Sequence, residues 1–185
     1  MGRFSEKVIV IIPILSVCVV ILTLVACFQL GKINVERKRQ AIMAEEIVKQ
    51  IEEYNSSLNE VSGSIREASP YVSDERARHL GSLFLEYSGK SGIPIRTFLI
   101  IGKVESDFRR IRSGNDYGVM QINRFWLEKL GVSPSEAMND RTNIELFVKI
   151  LERLQDKPLS YYHSFKPRLR KRYEQRIMEV TAFLQ

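Results

Sequence analysis

Two short stretches decide how the second half of this chain folds. Residues 103–108 read Lys-Val-Glu-Ser-Asp-Phe, and residues 118–123 read Gly-Val-Met-Gln-Ile-Asn. The first stretch closes a segment, Ile95 to Ser106, whose side chains are apolar around most of a helical circumference. That pattern predicts a buried helix, and Pro94 suits its first turn. We therefore expect Glu105 in the last turn of a buried helix.

The chain after residue 70 has the pattern of a series of short helices. Ser73, followed by two acidic residues, predicts an N-cap. The loop from Arg109 to Tyr117 contains the turn residues Ser-Gly-Asn-Asp, which are compatible with a short hairpin. Because no segment alternates for long, the predicted fold is mainly α. The further helices that we expect span Asn123 to Leu130, about Thr142 to Gln155, and Pro167 to Leu184.

Glu105 has the surroundings of a general acid. Cleavage of a glycosidic bond needs a proton donor, and a carboxyl group that keeps its proton near neutral pH needs a raised pKa. Burial among apolar groups raises a carboxyl pKa because it penalises the charged form. The two histidines, His79 and His163, and the two cysteines form no motif with metal-ligand spacing. We expect neither a metal nor a cofactor.

The two stretches, in this order and at this spacing, resemble the first two motifs of the soluble lytic transglycosylases, which are similar to goose-type lysozymes. The resemblance spans Ser73 to Val180. It implies a lysozyme-like helical domain that cleaves the β-1,4 bond between N-acetylmuramic acid and N-acetylglucosamine in peptidoglycan and leaves a 1,6-anhydro end. In that family a single Glu acts first as acid and then as base, while the N-acetyl group of the substrate assists. Neither Asp107 nor Asp116 matches a second catalytic carboxylate.

The resemblance assigns roles to individual residues. Glu105 matches the acid/base, and Ser106 matches the hydroxyl that positions the acid or the substrate. The Gly-Leu-Met-Gln motif of the family is matched, with Val in place of Leu, by Gly118, Val119, Met120 and Gln121. In that family the Gly of this motif allows close approach, and its Met and Gln line the sugar subsites.

A third motif, usually Ala-Tyr-Asn, is matched by the Tyr-Tyr-His that ends at His163. Tyr162 keeps the aromatic hydroxyl that contacts the acid in the family, whereas His163 replaces Asn. Family members with a Tyr-His-Ser version and a following proline exist, and the present Ser164 and Pro167 resemble that branch. Tyr173 resembles a tyrosine that recurs near the end of the domain. We expect Tyr162 and His163 to bind substrate, and a structural role for His163 stays open.

Other aromatic and basic residues have less specific interpretations. We expect Phe125 and Trp126 in the core, with sugar stacking by one of them as the alternative, and His79 at the surface. A basic run near the C-terminus predicts a solvated helix face, with contact to peptidoglycan or membrane as the alternative. This run comprises Lys166, Arg168, Arg170, Lys171, Arg172 and Arg176.

The N-terminus predicts a membrane anchor. All residues from Val8 to Phe28 are uncharged and nearly all are apolar, which is enough for a spanning helix of about 20 residues. A secretory signal has an apolar core of only about 7 to 15 residues, so an uncleaved helix is favoured. A Leu-Val-Ala-Cys lipobox at Cys27 makes a lipoprotein the alternative. The predicted divisions are an anchor (1–31), a helical stalk (32–69) and a catalytic domain (70–185).

Charges beside the apolar stretch bear on its orientation. Two Lys or Arg residues precede it and four follow it closely, and positive-inside counting would keep the C-terminal domain in the cytoplasm. A peptidoglycan-cleaving enzyme has no substrate there. We therefore expect residues 8–30 to cross a bacterial inner membrane once, with the catalytic domain in the periplasm. A phage virion is the other location that we consider.

The predicted stalk carries the a/d spacing of a coiled coil. Its apolar positions are Ile47, Ile51, Tyr54, Leu58, Val61 and Ile65. The pattern is short and includes serine-rich stretches, so two interpretations stay open. The helix either packs on its own domain or self-associates through residues 47–65.

The formal net charge of +6 lies wholly after residue 70, and it favours anionic partners such as peptidoglycan carboxylates. Charge is the only feature that points to nucleic acid, which we do not expect as a partner.

The sequence thus predicts a membrane-tethered lytic transglycosylase. The alternatives are an inactive glycan-binding or scaffold module of an envelope assembly, and a hydrolysing lysozyme. Wall remodelling, secretion or conjugation machines and phage entry all stay open, and the short domain favours opening of local gaps.

Overall fold

The computed structural model describes residues 5–154, 157–163 and 166–184, with the backbone alone for residues 5–19. The described residues are mainly helical, which confirms the mainly α part of the predicted fold. The helices are α1 (Ser5–Ala68), α2 (Asp74–Ser91), α3 (Ile95–Ser106), α4 (Arg124–Leu130), α5 (Pro134–Ala137), α6 (Asp140–Leu154), α7 (Ser160–His163) and α8 (Pro167–Phe183). The strands are β1 (Arg112–Ser113), β2 (Asp116–Tyr117) and β3 (Ile122–Asn123).

The chain forms two compact units, Met1–Glu53 and Tyr54–Gln185. In the first unit the structure describes helix α1 from Ser5 onward. No helix among the described residues is long and apolar enough to cross a membrane. The predicted span begins at Val8, and its side chains up to residue 19 lie outside the described residues. The anchor therefore stays a prediction.

The last turns of α1 belong to the second unit. Leu58, Val61 and Ile65 are buried there. A side chain at Gly81 of α2 would begin 3.3 Å from a methyl group of Leu58 and 3.5 Å from one of Val61, so a glycine allows the two helices to approach. The second unit begins at Tyr54, and not at residue 70, because these apolar side chains complete its core.

This packing separates the two interpretations of the a/d pattern. The part of the pattern from Leu58 to Ile65 is covered by the chain's own domain. Ile47 and Ile51, which lie earlier on the helix, are 52% and 54% exposed. Packing on the chain's own domain therefore accounts for the later part of the pattern, and self-association through residues 47–65 stays a prediction.

Helices α2 and α3 begin where their sequences predict. Ser73 caps the N-terminus of α2, and α3 begins directly after Pro94. Their apolar faces meet α6 through aromatic rings, because the ring of Phe98 lies 5.6 Å from that of Phe84 and 5.5 Å from that of Phe147. This aromatic cluster fixes the direction of α3, the helix that carries Glu105.

A small antiparallel sheet follows α3 in the order β1-β2-β3. Strands β1 and β2 form the short hairpin that the loop sequence allows. Gly114, with φ of +60°, is in its turn. Strand β3 pairs with β2, with Tyr117 opposite Ile122. The sequence stretch 118–121 is therefore a tight connection between two paired strands.

Asp140, at the start of α6, is a buried carboxylate that joins three parts of the fold. Arg76 of α2 binds both of its oxygens, and Arg110 donates to Oδ2 at 2.6 Å. Burial raises the pKa of Asp140, but the two guanidinium groups lower it more, so it lies below its ordinary value. Arg76 also donates to the carbonyl of Phe108. His79, which is half exposed as a surface residue would be, also lies 3.3 Å from Asp140.

The packing of α1 predicts a position-dependent effect on stability. Replacing Ile65, which is fully buried, with Ala should lower the free energy of unfolding by about 2 to 5 kcal/mol. Replacing the exposed Ile51 with Ala should change it by less than about 0.5 kcal/mol. Urea denaturation followed by circular dichroism measures both values. Equal effects would contradict the assignment of residues 58–68 to the domain.

Candidate functional site

Glu105 lies in the last turn of α3, and its side chain is only 10% exposed. The hydroxyl of Tyr173 in α8 donates to its Oε1 atom at 2.5 Å. Burial raises the pKa of Glu105 to about 7, although the Tyr173 hydrogen bond and the positive charge of Arg176 act in the opposite direction. The negative charge of Asp116 adds to the increase. Glu105 is therefore a carboxyl group that is half protonated near neutral pH.

The guanidinium of Arg176 does not form an ion pair with this carboxyl group. It donates instead to the backbone carbonyl of Val104, one residue before Glu105. An ion pair at the carboxylate would lower the pKa of Glu105. A positive charge therefore lies close to the acid, but burial still has the largest effect on the pKa of Glu105.

The backbone on both sides of the site is strained. The non-glycine residues with positive φ in the described part of the chain are Asp107 (56°), Phe108 (59°) and Gln121 (49°). All lie in the two motif stretches, and each costs about 1 to 3 kcal/mol. Phe108 is fully buried, and its N–H donates to the carbonyl of Gly102. This turn ends α3 directly after Glu105.

Ser106 joins the two motif stretches. Its hydroxyl donates to the carbonyl of Val119 at 2.6 Å, and the side chain is only 3% exposed. Ser106 therefore does not reach a substrate directly. It holds the connection between β2 and β3 against the helix end that carries Glu105.

Position 118 requires glycine for two reasons, its backbone conformation and the close approach of neighbouring residues. Its φ is +78°, and a Cβ atom there would lie 2.3 Å from the amide nitrogen of Asn143 and 2.7 Å from the carbonyl of Ala137. The close approach that the resemblance implied is thus made to the protein's own α6.

Asn143 is the functional residue that the sequence analysis missed. Its amide nitrogen donates to the carbonyls of Tyr117 and Ala137, and its oxygen accepts from the N–H of Met120 at 2.7 Å. In the sequence it is a single polar residue beside Ile144 on the apolar face of α6, and the structure shows that it is fully buried. A buried amide needs partners, and here the partners are the backbone of the second motif.

Val119 and Met120 are completely buried. Their predicted place on the substrate surface is therefore corrected: these side chains form the core behind the site. Gln121 is 7% exposed, and its amide nitrogen donates to the carbonyls of Ile111 and Gly118. Because both N–H bonds are used, the atom that Gln121 has left to offer a ligand is its amide oxygen.

The contact to the acid that the resemblance implied for Tyr162 is made instead by Tyr173. The hydroxyl of Tyr162 donates to the carbonyl of Met120 at 2.6 Å, and the hydroxyl that contacts Glu105 is that of Tyr173. The reason is helix geometry. Tyr162 lies in α7 with its ring against Phe147 of the core, whereas α8 packs along α3 and brings Tyr173 to the acid.

His163 lies between the acid and the solvent. Its ring is stacked on that of Tyr173, with centroids 4.6 Å apart, and its Nδ1 atom is 4.0 Å from Oε1 of Glu105. Burial lowers the pKa of His163, which favours the neutral imidazole. Ser164, the last residue of the Tyr-His-Ser match, lies outside the described residues.

A cleft of about 290 Å³ adjoins this pair. It is lined by Asn123, Phe125, Trp126, Tyr161, Tyr162, His163 and Lys166. Phe125 is 54% exposed, so its predicted place in the core is wrong, whereas Trp126 is buried as expected. Their rings pack edge to face. His163 lines the cleft and lies 4.0 Å from Glu105, which does not itself line it.

No protein-family model, curated protein or solved structure matches the chain. Among the described residues, no group of three or more His, Cys, Asp or Glu side chains is arranged to hold a metal ion. The chemistry of the site is therefore inferred from its residues and their geometry.

Removal of the Tyr173 hydroxyl tests whether its hydrogen bond lowers the pKa of Glu105. Because this hydrogen bond stabilises the charged carboxylate, Tyr173→Phe should raise the pKa of Glu105 above the present value of about 7. Tyr162→Phe is the matched control, since its hydroxyl donates to a backbone carbonyl. Carbon-13 NMR titration of the Glu105 carboxyl measures both. A Tyr173→Phe variant with an unchanged pKa would refute the assignment.

Two glycines with positive φ separate the cost of backbone strain from the cost of a steric collision when glycine is replaced by alanine. Gly114→Ala should cost about 1 to 2 kcal/mol of unfolding free energy, because its φ is positive but nothing lies within 4 Å of the added carbon. Gly118→Ala should cost about 1 to 3 kcal/mol more, because the added carbon collides with Asn143. Denaturant unfolding of the two variants measures the difference, and equal losses would contradict this account.

Proposed function

We propose that this protein is a peptidoglycan lytic transglycosylase with a lysozyme-like fold and that Glu105 is its catalytic acid and base. The observation that carries the proposal is the buried carboxyl group of Glu105, whose pKa burial raises to about 7, close to an aromatic cleft. A carboxyl pKa close to the working pH is what general acid catalysis of glycosidic cleavage requires. The order and spacing of the three motifs add support.

In the proposed reaction, protonated Glu105 donates its proton to the glycosidic oxygen that leaves. Tyr173 occupies Oε1 as a hydrogen-bond donor, so the proton is carried by Oε2. The N-acetyl group of the substrate assists departure of the leaving sugar. The Glu105 carboxylate then removes the proton of the 6-hydroxyl as that oxygen attacks the anomeric carbon, which forms the 1,6-anhydro ring and restores the acid.

Asp116 supports a second candidate function, plain hydrolysis. Its charge acts on Glu105, Tyr162 and His163, which places it on the same side of the fold as the acid. Most glycosidases use two carboxylates, the second of which activates water or attacks the sugar. We favour the transglycosylase because Asp116 accepts a hydrogen bond from Asn123 at 2.6 Å and lies where the resembled family has no catalytic carboxylate.

Location and pathway remain part of the proposal. The uncharged stretch from Val8 to Phe28 supports a membrane tether, with the catalytic domain on the side where peptidoglycan lies. We propose local opening of the wall, for a secretion or conjugation machine or for phage entry. An inactive glycan-binding module would have the same cleft but would leave peptidoglycan uncut.

Incubation of the full chain, kept in nonionic detergent, with purified peptidoglycan tests the proposal. Wild type should release muropeptides with 1,6-anhydro ends, detected by mass spectrometry, and Glu105→Gln should lower the rate by at least about a hundredfold. The exposed Glu145→Gln is the control and should leave the rate unchanged. Because the acid must be protonated, the rate should fall as the pH rises through about 7.

The products separate the candidates. Reducing ends in place of anhydro ends, together with loss of activity in Asp116→Asn, would establish hydrolysis. Binding of peptidoglycan without release of any fragment by the wild type would establish the glycan-binding module and refute the enzyme.

A further inference from the structure

Three side chains, Ser69, Lys103 and Asp107, join the end of α1 to the end of α3, and we call them the turn clamp. The Nζ atom of Lys103 donates to Oδ1 of Asp107 at 2.6 Å and to Oγ of Ser69 at 3.2 Å. Its third acceptor is the backbone carbonyl of Ala68, the last residue of α1. The hydroxyl of Ser69 donates to the same Oδ1 atom of Asp107. The three protons of the ammonium group thus have three acceptors, and two of these lie at the end of α1.

The clamp flanks Glu105 in the sequence but lies on the opposite side of its helix. Lys103 comes two residues before Glu105, and Asp107 comes two residues after it. Residues two apart in an α-helix point about 200° away from each other. Lys103 accordingly contacts the end of α1, whereas Glu105 contacts Tyr173 of α8. The clamp therefore acts on the acid through the backbone of the last helical turn.

The backbone next to the clamp is strained. Asp107 and Phe108 are consecutive residues with φ of 56° and 59°, and such conformations persist only where the surrounding structure holds them. Phe108 is held by full burial, whereas Asp107 is held by the hydrogen bonds from Lys103 and Ser69. Because Asp107 is the first residue after α3, the clamp fixes the end of the helix turn that carries Glu105.

The clamp differs from an ordinary pair of charges on a helix surface. Lys149 and Glu145 of α6 are also four residues apart and 2.6 Å from each other, but their side chains are 50% and 45% exposed. The side chains of Lys103 and Asp107 are 26% and 29% exposed, and Ser69 is 1% exposed. Exposed pairs contribute little to stability. The clamp is better shielded from water, and it joins two helices.

The contacts of the clamp also keep Asp107 ionised. Burial raises the pKa of Asp107, but the hydrogen bonds from Lys103 and Ser69 lower it more, so it lies below its ordinary value. The clamp is therefore a charged pair at neutral pH, and its hydrogen bonds have an ionised acceptor. Hydrogen bonds of this kind are stronger than those between neutral groups.

We propose that Ser69, Lys103 and Asp107 are positioning residues for Glu105, because they hold the turn that keeps the acid buried against Tyr173. This inference rests on the proposed function, in which Glu105 is the catalytic acid, but the state of its carboxyl group can be measured without a substrate. The last residues of the predicted stalk then belong to the functional site. A domain boundary at residue 70 would cut through it.

A change in the clamp should reach Glu105 as a change in geometry and not as a change in charge. Within the described part of the chain, the titratable and charged groups that face its carboxyl come from β2, α7 and α8, and they are Asp116, Tyr162, His163, Tyr173 and Arg176. The clamp lies outside this set. If the turn loosens, water reaches the carboxyl, and the burial that raises its pKa to about 7 diminishes. The pKa of Glu105 should then fall toward its ordinary value.

Carbon-13 NMR titration of the Glu105 carboxyl in the full chain, kept in nonionic detergent, tests the inference. Ser69→Ala removes the hydroxyl that links α1 to Asp107, and it should lower the pKa of Glu105 by about half a unit or more. Ser62→Ala is the matched control. Ser62 is only 4% exposed and belongs to the same helix, but its hydroxyl donates to the carbonyl of Asn59 within α1. This control should leave the pKa unchanged.

Two replacements of Asp107 separate the hydrogen bonds of the clamp from its charge. Glycine adopts a positive φ without strain, so Asp107→Gly removes the side chain and leaves the backbone conformation accessible. Asn also tolerates this conformation, and in Asp107→Asn the amide oxygen can accept from Lys103 and Ser69. Both variants lose the same charge. Asp107→Gly should lower the pKa of Glu105, whereas Asp107→Asn should keep it at about 7.

The comparisons among these variants decide the inference. An unchanged pKa of Glu105 in Ser69→Ala and Asp107→Gly would overturn it. Equal shifts in Ser69→Ala and Ser62→Ala, or in the two Asp107 variants, would also overturn it. Circular dichroism checks that each variant keeps the helical spectrum of the wild type, and if Ser69→Ala loses that spectrum, the two Asp107 variants decide in its place.

The pH profile of peptidoglycan cleavage separates this inference from the proposed function. Because the acid must be protonated, the rate of Ser69→Ala should begin to fall at a lower pH than that of the wild type. If wild type releases no fragments and Ser69→Ala still lowers the pKa of Glu105, the clamp is supported and the enzyme is refuted. If both cleave peptidoglycan with the same pH profile, the enzyme is supported and the clamp is refuted.

Discussion

Burial of one carboxyl group is the constraint on which the rest of this domain depends. Glu105 ends an apolar helix, and desolvation raises its pKa to about 7. An ordinary Glu ionises near 4.5, so the folded state holds a proton that the unfolded state releases between these pH values. Stability is therefore full below about pH 4.5 and falls as the pH rises through about 7, by about 3 kcal/mol in all. The aromatic core around Phe98 has to offset that cost.

The parts around the acid are held by hydrogen bonds to backbone carbonyls more than by contacts to the acid itself. Ser106 binds the carbonyl of Val119, Tyr162 binds that of Met120, and Arg176 binds that of Val104. Asn143 adds two more such bonds from α6. Such bonds fix the backbone while leaving the charge of the site unchanged. The pKa of Glu105 is therefore set chiefly by burial, with smaller effects from Tyr173, Arg176 and Asp116.

Sequence periodicity predicted the helices well, because burial of an apolar face is a local pattern. Helices α3, α4, α6 and α8 begin and end within a few residues of their predicted bounds, and Glu105 lies in the predicted turn. The exposure of individual motif residues was not predictable in this way. Met120 looks like a binding residue in a motif, yet the turn between β2 and β3 directs it into the core.

Contacts between segments that lie far apart in the sequence were also not predictable from it. Two tyrosines, Tyr162 and Tyr173, can each supply a hydroxyl to the acid, and only the packing of α8 along α3 decides between them. The docking of Leu58 and Val61 onto α2 was one of two open interpretations of the a/d pattern, because the same apolar spacing is found in coiled coils and in domain cores. Asn143 was missed because a single polar residue on an apolar face has no periodic signature.

The turn after the acid also constrains how this protein can change over time. A Cβ atom on Gly102 would lie 2.9 Å from the ring of Phe108, and that ring is held in place by a left-handed backbone and full burial. Neither residue has room to enlarge while the other stays as it is. In diverging descendants of this sequence, a larger residue at position 102 should therefore accompany a smaller one at position 108, so that the two positions covary.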